Sequence, residues 1–274
     1  MDLNTVGEVV VPVHRADLPH WRPGDAVIAG GTWLFSEPQV HLRRLIDVTA
    51  LGWPSVTTRD DGLELAATCT IEEISALSHA LPDDWTAAPL FHQCATALLA
   101  SFKIWKTATI GGNLSLSFPA GAMISLVAGL DGTVTVWRPD GSEYELGITD
   151  FVTGPATNAM ADGDILRSVF LPATALRART AYRKIALSQL GRSGAVVVGR
   201  RDAAQDGGAF TLIVTGSTTK PVCLSFPGVP TANDLGTALA GIPDESWHSD
   251  AHGAPDWRKV VSAVLGREVR EELE

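Results

Sequence analysis

Two stretches of paired glycines carry the residue types needed to bind an anion. Ala29-Gly30-Gly31-Thr32-Trp33-Leu34 follows a short apolar run, and Thr109-Ile110-Gly111-Gly112-Asn113-Leu114 follows a helical segment and a short polar stretch. Glycine has no Cβ and tolerates positive φ, so successive amides at such a pair can turn together towards one anion. Thr32 and Thr109 add a hydroxyl beside each pair, and Asn113 adds an amide with a donor and an acceptor end. Either loop alone is as readily a tight turn. Two of matched chemistry, if they face each other, suit a pyrophosphate. The usual nucleotide signatures are missing: the chain contains no Gly-x-Gly and no Gly-Lys, which excludes a Rossmann fingerprint and a Walker A loop. It also has no GxSxG nucleophile elbow and no HExxH.

The elements that would position these loops are legible in outline. Short apolar runs at 9–11, 26–29 and 44–48, more than a dozen residues apart, predict parallel strands joined by crossovers, with the first glycine loop leaving the second of them. Runs at 55–59 and 63–67 flank Asp61-Gly62, a hairpin signal. Thr70-Ile71-Glu72-Glu73 is a capping box opening a helix to about Ala80. A second helix is predicted over roughly 87–101, and a second hairpin (133–137 with 143–146) turns on Asp140-Gly141. A Gly-, Pro- and Asn-containing stretch at 153–164 leads into a strand at 165–171. Three β-type runs (181–186, 195–199, 210–214) and two helices (232–240, 256–273) follow, with a boundary near 174–178. Hairpins mixed with scattered helices predict an α+β fold.

Other candidate groups read more plainly. His248 and His252 flank Asp250 at a metal-like spacing, but in a Ser-, Gly- and Pro-containing loop they read as solvated residues. Lys184, in the strand Tyr182–Ile185, either reaches a ligand or extends along the surface. Cys69, Cys94 and Cys223 lie far apart, which excludes an iron–sulfur or zinc cluster and a disulfide framework. With 21 Lys and Arg against 31 Asp and Glu, the net charge of −10 argues against nucleic acid as a partner. No apolar run reaches the roughly 18 residues of a membrane helix, and the acidic start of the chain is unlike a secretory leader. A cytoplasmic location is expected.

Taken together, AGGTWL followed about 75 residues later by ATIGGNL resembles the FAD-binding (medium) subunit of the molybdenum hydroxylases, the xanthine dehydrogenase, aldehyde oxidoreductase and carbon monoxide dehydrogenase family. Three further segments are similar to that family in order and spacing: DGDILRSVFLP (162–172), AYRKIALSQLGRSGAVVVG (181–199) and SDAHGAPDWRK (249–259). The resemblance implies a two-lobed, vanillyl-alcohol-oxidase-type FAD-binding fold. Its lobes would be residues 1–52 and 53–175, and residues 176–274 would form a C-terminal domain of three antiparallel strands with a helix bundle. Carried over by motif, the cofactor-binding residues would be Ala29, Gly30, Gly31, Thr32, Trp33 and Leu34 with Thr109, Ile110, Gly112 and Asn113. Leu166 would lie beside the isoalloxazine and Lys184 would reach the flavin edge; no residue is expected to be catalytic or to bind metal. The implied activity is electron transfer: FAD accepts electrons from a [2Fe–2S] subunit, itself served by a molybdopterin subunit that hydroxylates the substrate, and passes them to an external acceptor. The partners would be those two subunits in a hetero-hexamer.

The chain departs from the family pattern where a Pro-Ala-x-Asp is usual: Pro119-Ala120-Gly121-Ala122 lacks the carboxylate. Ile104-Trp105-Lys106 replaces an Ile-Arg-Asn, and Arg192-Ser193 stands near a usual acidic position. Two other readings stay open: a redox-inactive scaffold subunit of the same fold, and a free-standing flavin oxidoreductase.

Overall fold

The computed structural model describes residues 3–274; Met1 and Asp2, part of the acidic start read against a leader and of the first lobe, lie outside it. The first sheet is three-stranded and parallel. β1 (Glu8–Val10) and β2 (Asp25–Ile28) flank β3 (Arg44–Asp47), as the widely spaced apolar runs predict. Its central tie is ionic. Arg44 Nε and Nη2 donate to the two oxygens of Asp25 at 2.9 and 2.5 Å, with both side chains 5% exposed or less. The Arg22 amide also donates to Asp25, and Arg44 Nη2 to the His20 carbonyl. The pair fixes the start of β2, whose far end delivers the first glycine loop.

The bonds from Arg44, and secondarily the Arg22 amide, hold the Asp25 carboxyl below its ordinary value against the opposing effect of burial. A carboxyl depressed in the folded state stabilises the fold above its unfolded pKa of about 3.9 and ceases to do so as pH falls through the folded value. Asp25→Asn is therefore expected to lower stability at pH 7, with the difference from the parent shrinking below about pH 4. Denaturant unfolding of both proteins across that range checks this; a difference that stays constant with pH would refute it.

The second sheet has five antiparallel strands, in the order β4 (Val56–Arg59), β5 (Gly62–Ala66), β10 (Ile165–Pro172), β6 (Thr133–Trp137) and β7 (Glu143–Gly147). β4 and β5 form the hairpin at Asp61-Gly62, and β6 and β7 the one at Asp140-Gly141. β10 runs between them, with a bulge between Leu166 and Ser168. One face of this sheet is covered by α1 (Ile71–Ala76), α2 (Pro89–Ala95), α4 (Ile110–Leu116) and α5 (Ala122–Gly129). The short α3 (Phe102–Trp105) precedes α4. The capping box opens α1 with both halves formed: Thr70 N donates to Glu73 and Glu73 N to Thr70 Oγ1. The predicted helix over 87–101 is shorter than expected, ending at Ala95. α6 (Ile148–Phe151), the small β8 (Val152–Gly154) and β9 (Thr157–Asn158) pair, and α7 (Ala173–Leu176) complete this part.

The C-terminal sheet, β11 (Arg179–Ile185), β12 (Ala195–Arg201), β13 (Phe210–Thr215) and β14 (Val222–Phe226), is antiparallel in that order. It has four strands rather than the three expected. β14 is a half-exposed edge strand behind Pro221. Val222, Leu224 and Phe226 turn inward and alternate with exposed Cys223 and Ser225, a period-2 pattern that the expectation of three strands passes over. Val196, Val198 and Ile213 project into the core shared with α5, while Val197, Leu212 and Val214 face a second core under α8 (Ala232–Ala240) and α9 (Pro255–Leu273). Among the described residues, no helix is long and apolar enough to cross a membrane.

Candidate functional site

The first glycine loop leaves the C-terminal end of β2, where parallel sheets commonly present ligand-binding loops. Gly31 holds φ at +64°, and Phe35 N closes the turn onto Gly31 O at 2.9 Å. The amides of Gly30, Gly31, Thr32, Trp33 and Leu34 donate to no acceptor among the described residues, although all five residues are half-buried. Backbone donors must find a partner, so five unspent amides in succession can take an acceptor from outside the chain.

The second glycine pair is the first turn of α4 rather than a loop. Thr109 is its N-cap, and its Oγ1 accepts from Gly112 N at 3.1 Å. Two further amides are tied to the turn between β5 and α1: Ile110 N donates to Cys69 O and Gly111 N to Ala67 O, both at 2.9 Å. A Cβ at Gly111 would stand 2.6 Å from Ala67, so that glycine serves close packing. Ile110 is fully buried, and its side chain braces the core. Gly112 is different: it is exposed, and a Cβ there would meet nothing within 4 Å but the capping oxygen.

The first loop abuts the segment that leads into the second motif. A Cβ built on Gly30 would lie 1.6 Å from the carbonyl oxygen of Thr107. Only hydrogen at that position lets the first loop lie against the approach to α4. The division of labour differs from the sequence expectation of two matched amide loops. Free amides come from residues 30–34, and the second motif contributes the Thr109 hydroxyl, the open face of Gly112 and Asn113. The Asn113 Oδ1 is engaged, accepting from Met123 N at 2.9 Å and so capping α5 from outside it, which leaves Nδ2 as the available donor.

The remaining expected residues come from β10, β11 and α5. Leu166 is 5% exposed within the core, on the β10 bulge. Lys184 is exposed, and its Nζ donates to Thr96 O just beyond α2 at 3.0 Å. No hydrogen bond joins either to the glycine motifs among the described residues. Ala122, where the carboxylate is missing, is buried at the first turn of α5. Trp33 crosses from the first loop to Phe118, the ring centroids 4.9 Å apart and the planes at 70°.

Near the C-terminus the structure corrects the reading of a solvated loop. Asp250 accepts from Arg258, whose side chain is 1% exposed, and His248 Nε2 lies 3.2 Å from Asp250. Burial depresses the His248 imidazole below its ordinary value, which Asp250 only partly offsets. An arginine in the first turn of α9, eight residues beyond a loop aspartate, carries no sequence signal of burial. The described residues include no cluster of three or more metal-ligating side chains.

This donor set fits a dinucleotide's diphosphate: neutral amides and hydroxyls, and a glycine whose open side admits close approach. The family model for the FAD binding domain in molybdopterin dehydrogenase matches residues 13–174. No curated protein matches the chain by sequence. Solved structures similar to it include Cu,Mo-CO dehydrogenase in a cyanide-inactivated form, at TM-score 0.79 and 18% identity, with 98% of each chain covered. Reconstituted CO dehydrogenase from Oligotropha carboxidovorans aligns at TM-score 0.80 and 18% identity over 97% of this chain and 96% of that one. Quinoline 2-oxidoreductase from Pseudomonas putida 86 aligns at 0.76 and 18% over 100% and 98%. At such identities the likeness is one of fold.

Proposed function

Because the chain belongs to the family of FAD-binding domains of molybdopterin dehydrogenases, we propose that it is the FAD-binding electron-transfer subunit of a molybdenum hydroxylase complex. The observation that carries this is the junction itself: five unspent amides on residues 30–34, pressed against residue 107 through Gly30. FAD, when bound, supplies an isoalloxazine that takes up and gives back electrons. The chain's own task is to hold it. In this reading the amides of Gly30 to Leu34 bind the diphosphate, and Thr32, Thr109 and Asn113 Nδ2 flank it. Gly112 leaves room for the phosphate oxygens, Ala29 and Ile110 support the two loops, and Leu166 and Lys184 lie towards the flavin.

The proposed arrangement is the two-lobed, vanillyl-alcohol-oxidase-type fold, with residues 1–52 and 53–175 as lobes and 176–274 as the C-terminal domain. Electrons would arrive from a [2Fe–2S] subunit and leave to an external acceptor, with the molybdopterin cofactor on a third chain of a hetero-hexamer. This chain's three cysteines are free and scattered, so iron–sulfur must come from a partner. Free thiols, two of them buried, also suit the proposed cytoplasmic location.

The purified chain is expected to bind one equivalent of FAD, read as quenching of flavin fluorescence. Acid should release the cofactor intact, because neither glycine motif contains a His or Cys to link it covalently. A chain that stays colourless after incubation with excess FAD would overturn the proposal in favour of a scaffold. Turnover of a small substrate by the lone chain would favour the free-standing oxidoreductase.

A further inference from the structure

The exposed leucines among the described residues, Leu99, Leu187 and Leu190, all stand on two loops, and Phe102 stands there with them. Leu190 is 77% exposed and Phe102 68%. The fold ties the two loops together at their bases: Lys184 Nζ, near the end of β11, donates to Thr96 O just beyond α2 at 3.0 Å. Each loop is also closed on itself. Trp105 Nε1 donates to Leu98 O at 3.3 Å across the first, and Gly194 N to Ile185 O at 2.8 Å across the second. Leu98 and Trp105 pack against the core, which leaves Leu99 and Phe102 outside it. Exposed apolar side chains grouped in this way mark a surface that something covers.

The charge around them has one sign. None of the 31 Asp and Glu falls between Trp85 and Leu130 or between Ile165 and Arg201, the stretches that hold both loops. Lys103 and Arg192 are exposed and form no ion pair among the described residues, and Lys106 has only Glu72, at 3.9 Å. Arg183 is paired instead with Glu268 and Glu272 of α9. Leu and Phe on loop tips inside a cationic collar suit a lipid surface better than a protein. Lys is depleted in protein interfaces and Leu is scarce among their hot spots. Interfacial lipid binding, in contrast, adds insertion of apolar side chains to attraction for anionic headgroups. A second copy meeting this face across a two-fold axis would set cation against cation. The net charge of −10 does not reverse the local sign, because exposed charges more than about 8 Å away are largely screened at physiological ionic strength.

We infer that the segments 96–107 and 186–193 form a peripheral docking surface for an anionic phospholipid bilayer. Leu99, Phe102, Leu187 and Leu190 enter the acyl boundary, and Lys103, Lys106 and Arg192 meet the headgroups. The chain lies on such a membrane without a helix that crosses it. This inference is independent of the FAD reading.

The test is co-sedimentation of the full-length chain with vesicles of phosphatidylcholine alone and of phosphatidylcholine mixed with phosphatidylglycerol. The parent should pellet with the mixed vesicles and stay in solution with the neutral ones, and high salt should weaken its binding. Phe102→Ser and Leu190→Ser are each expected to weaken binding about tenfold or more, and Lys103→Ala and Arg192→Ala about fivefold each. Lys259→Ala, on α9 across the C-terminal sheet, should bind like the parent. Melting temperatures within a few degrees of the parent would show that the variants are folded. A parent that ignores anionic vesicles, or loop variants that pellet as well as it does, would overturn the inference. So would a parent that ignores vesicles but forms a dimer broken by Leu190→Ser, which assigns the face to a second copy. Titration of the same proteins with FAD reports on the FAD reading separately.

Discussion

Adding one methyl group at Gly30 is expected to cost the protein both stability and cofactor, whereas the same change at Gly112 should cost cofactor alone. At Gly30 the new carbon would fall 1.6 Å from Thr107 O and 2.5 Å from its carbonyl carbon. These are backbone atoms that cannot rotate away. Their segment is anchored on both sides, by Thr107 N to Ile104 O and by Ile71 N to Ala108 O. Relief therefore requires moving the first loop off the second, at about 2 kcal/mol or more. The proposed amide donors of residues 30–34 then shift relative to the second motif, and FAD affinity should fall at least about tenfold. At Gly112 the contact is a single side-chain oxygen at 3.2 Å, and replacing a helical glycine removes backbone freedom worth roughly 0.5–1 kcal/mol. Gly112→Ala is thus expected to leave the melting temperature unchanged or slightly raised while its methyl group fills the open side a phosphate must approach. Thermal unfolding and FAD titration of the two variants separate these outcomes. A Gly30→Ala protein with parental stability would mean the loops do not abut. A Gly112→Ala protein with parental affinity would mean the open face is not where the ligand lies.

The contrast between these glycines also marks how far the sequence could be read. Both pairs read as anion-binding types from their residues alone, and the hairpin at Asp61-Gly62 and the capping box at Thr70 form as their local chemistry dictates. Local chemistry does not say which backbone atom meets which. The critical contact is with Thr107, two residues ahead of the second motif, and Gly111 turned out to serve packing on Ala67. The second pair reads as a loop because glycine disfavours helix, yet the Thr109 cap and three tied amides hold it in α4. α5 was invisible for the opposite reason. Every residue from Ala122 to Gly129 is buried, between the five-stranded sheet and β12 and β13, so it has no polar face and no helical period. The helix predicted to 101 stops at Ala95, and the Thr96 carbonyl just beyond it accepts from Lys184 instead. Roles that depend on a distant partner, such as Asn113 capping α5, are written in the fold and not in the spacing.

Arg258 is the clearest such case, and the charge next to it is expected to matter more than the arginine itself. The guanidinium is 1% exposed; Nη1 donates to Gly216 O at 3.0 Å and Nη2 to Asp250 Oδ1 at 2.5 Å, while Nε finds no acceptor among the described residues. Burial lowers the pKa of this group, and Asp250 is the charge that opposes the effect. Asp250→Ala would strand a buried cation with one carbonyl for company, at about 3 kcal/mol, the lower end for a broken buried pair because Asp250 itself is 34% exposed. Arg258→Met leaves a carboxylate that water can reach and fills the vacated volume with apolar atoms, so it should cost less. The asymmetry gives a sharp sign. Adding Arg258→Met to Asp250→Ala is expected to restore stability rather than lower it further, since the second change removes the charge the first one orphaned. Denaturant unfolding of the parent, both single variants and the double variant completes the cycle. Costs that simply add would mean the guanidinium is solvated in the folded protein. A rescue would show that the cost of Asp250→Ala is the stranded charge itself, and that the turn at Gly216, whose amide donates to Pro119 O, holds without the ion pair.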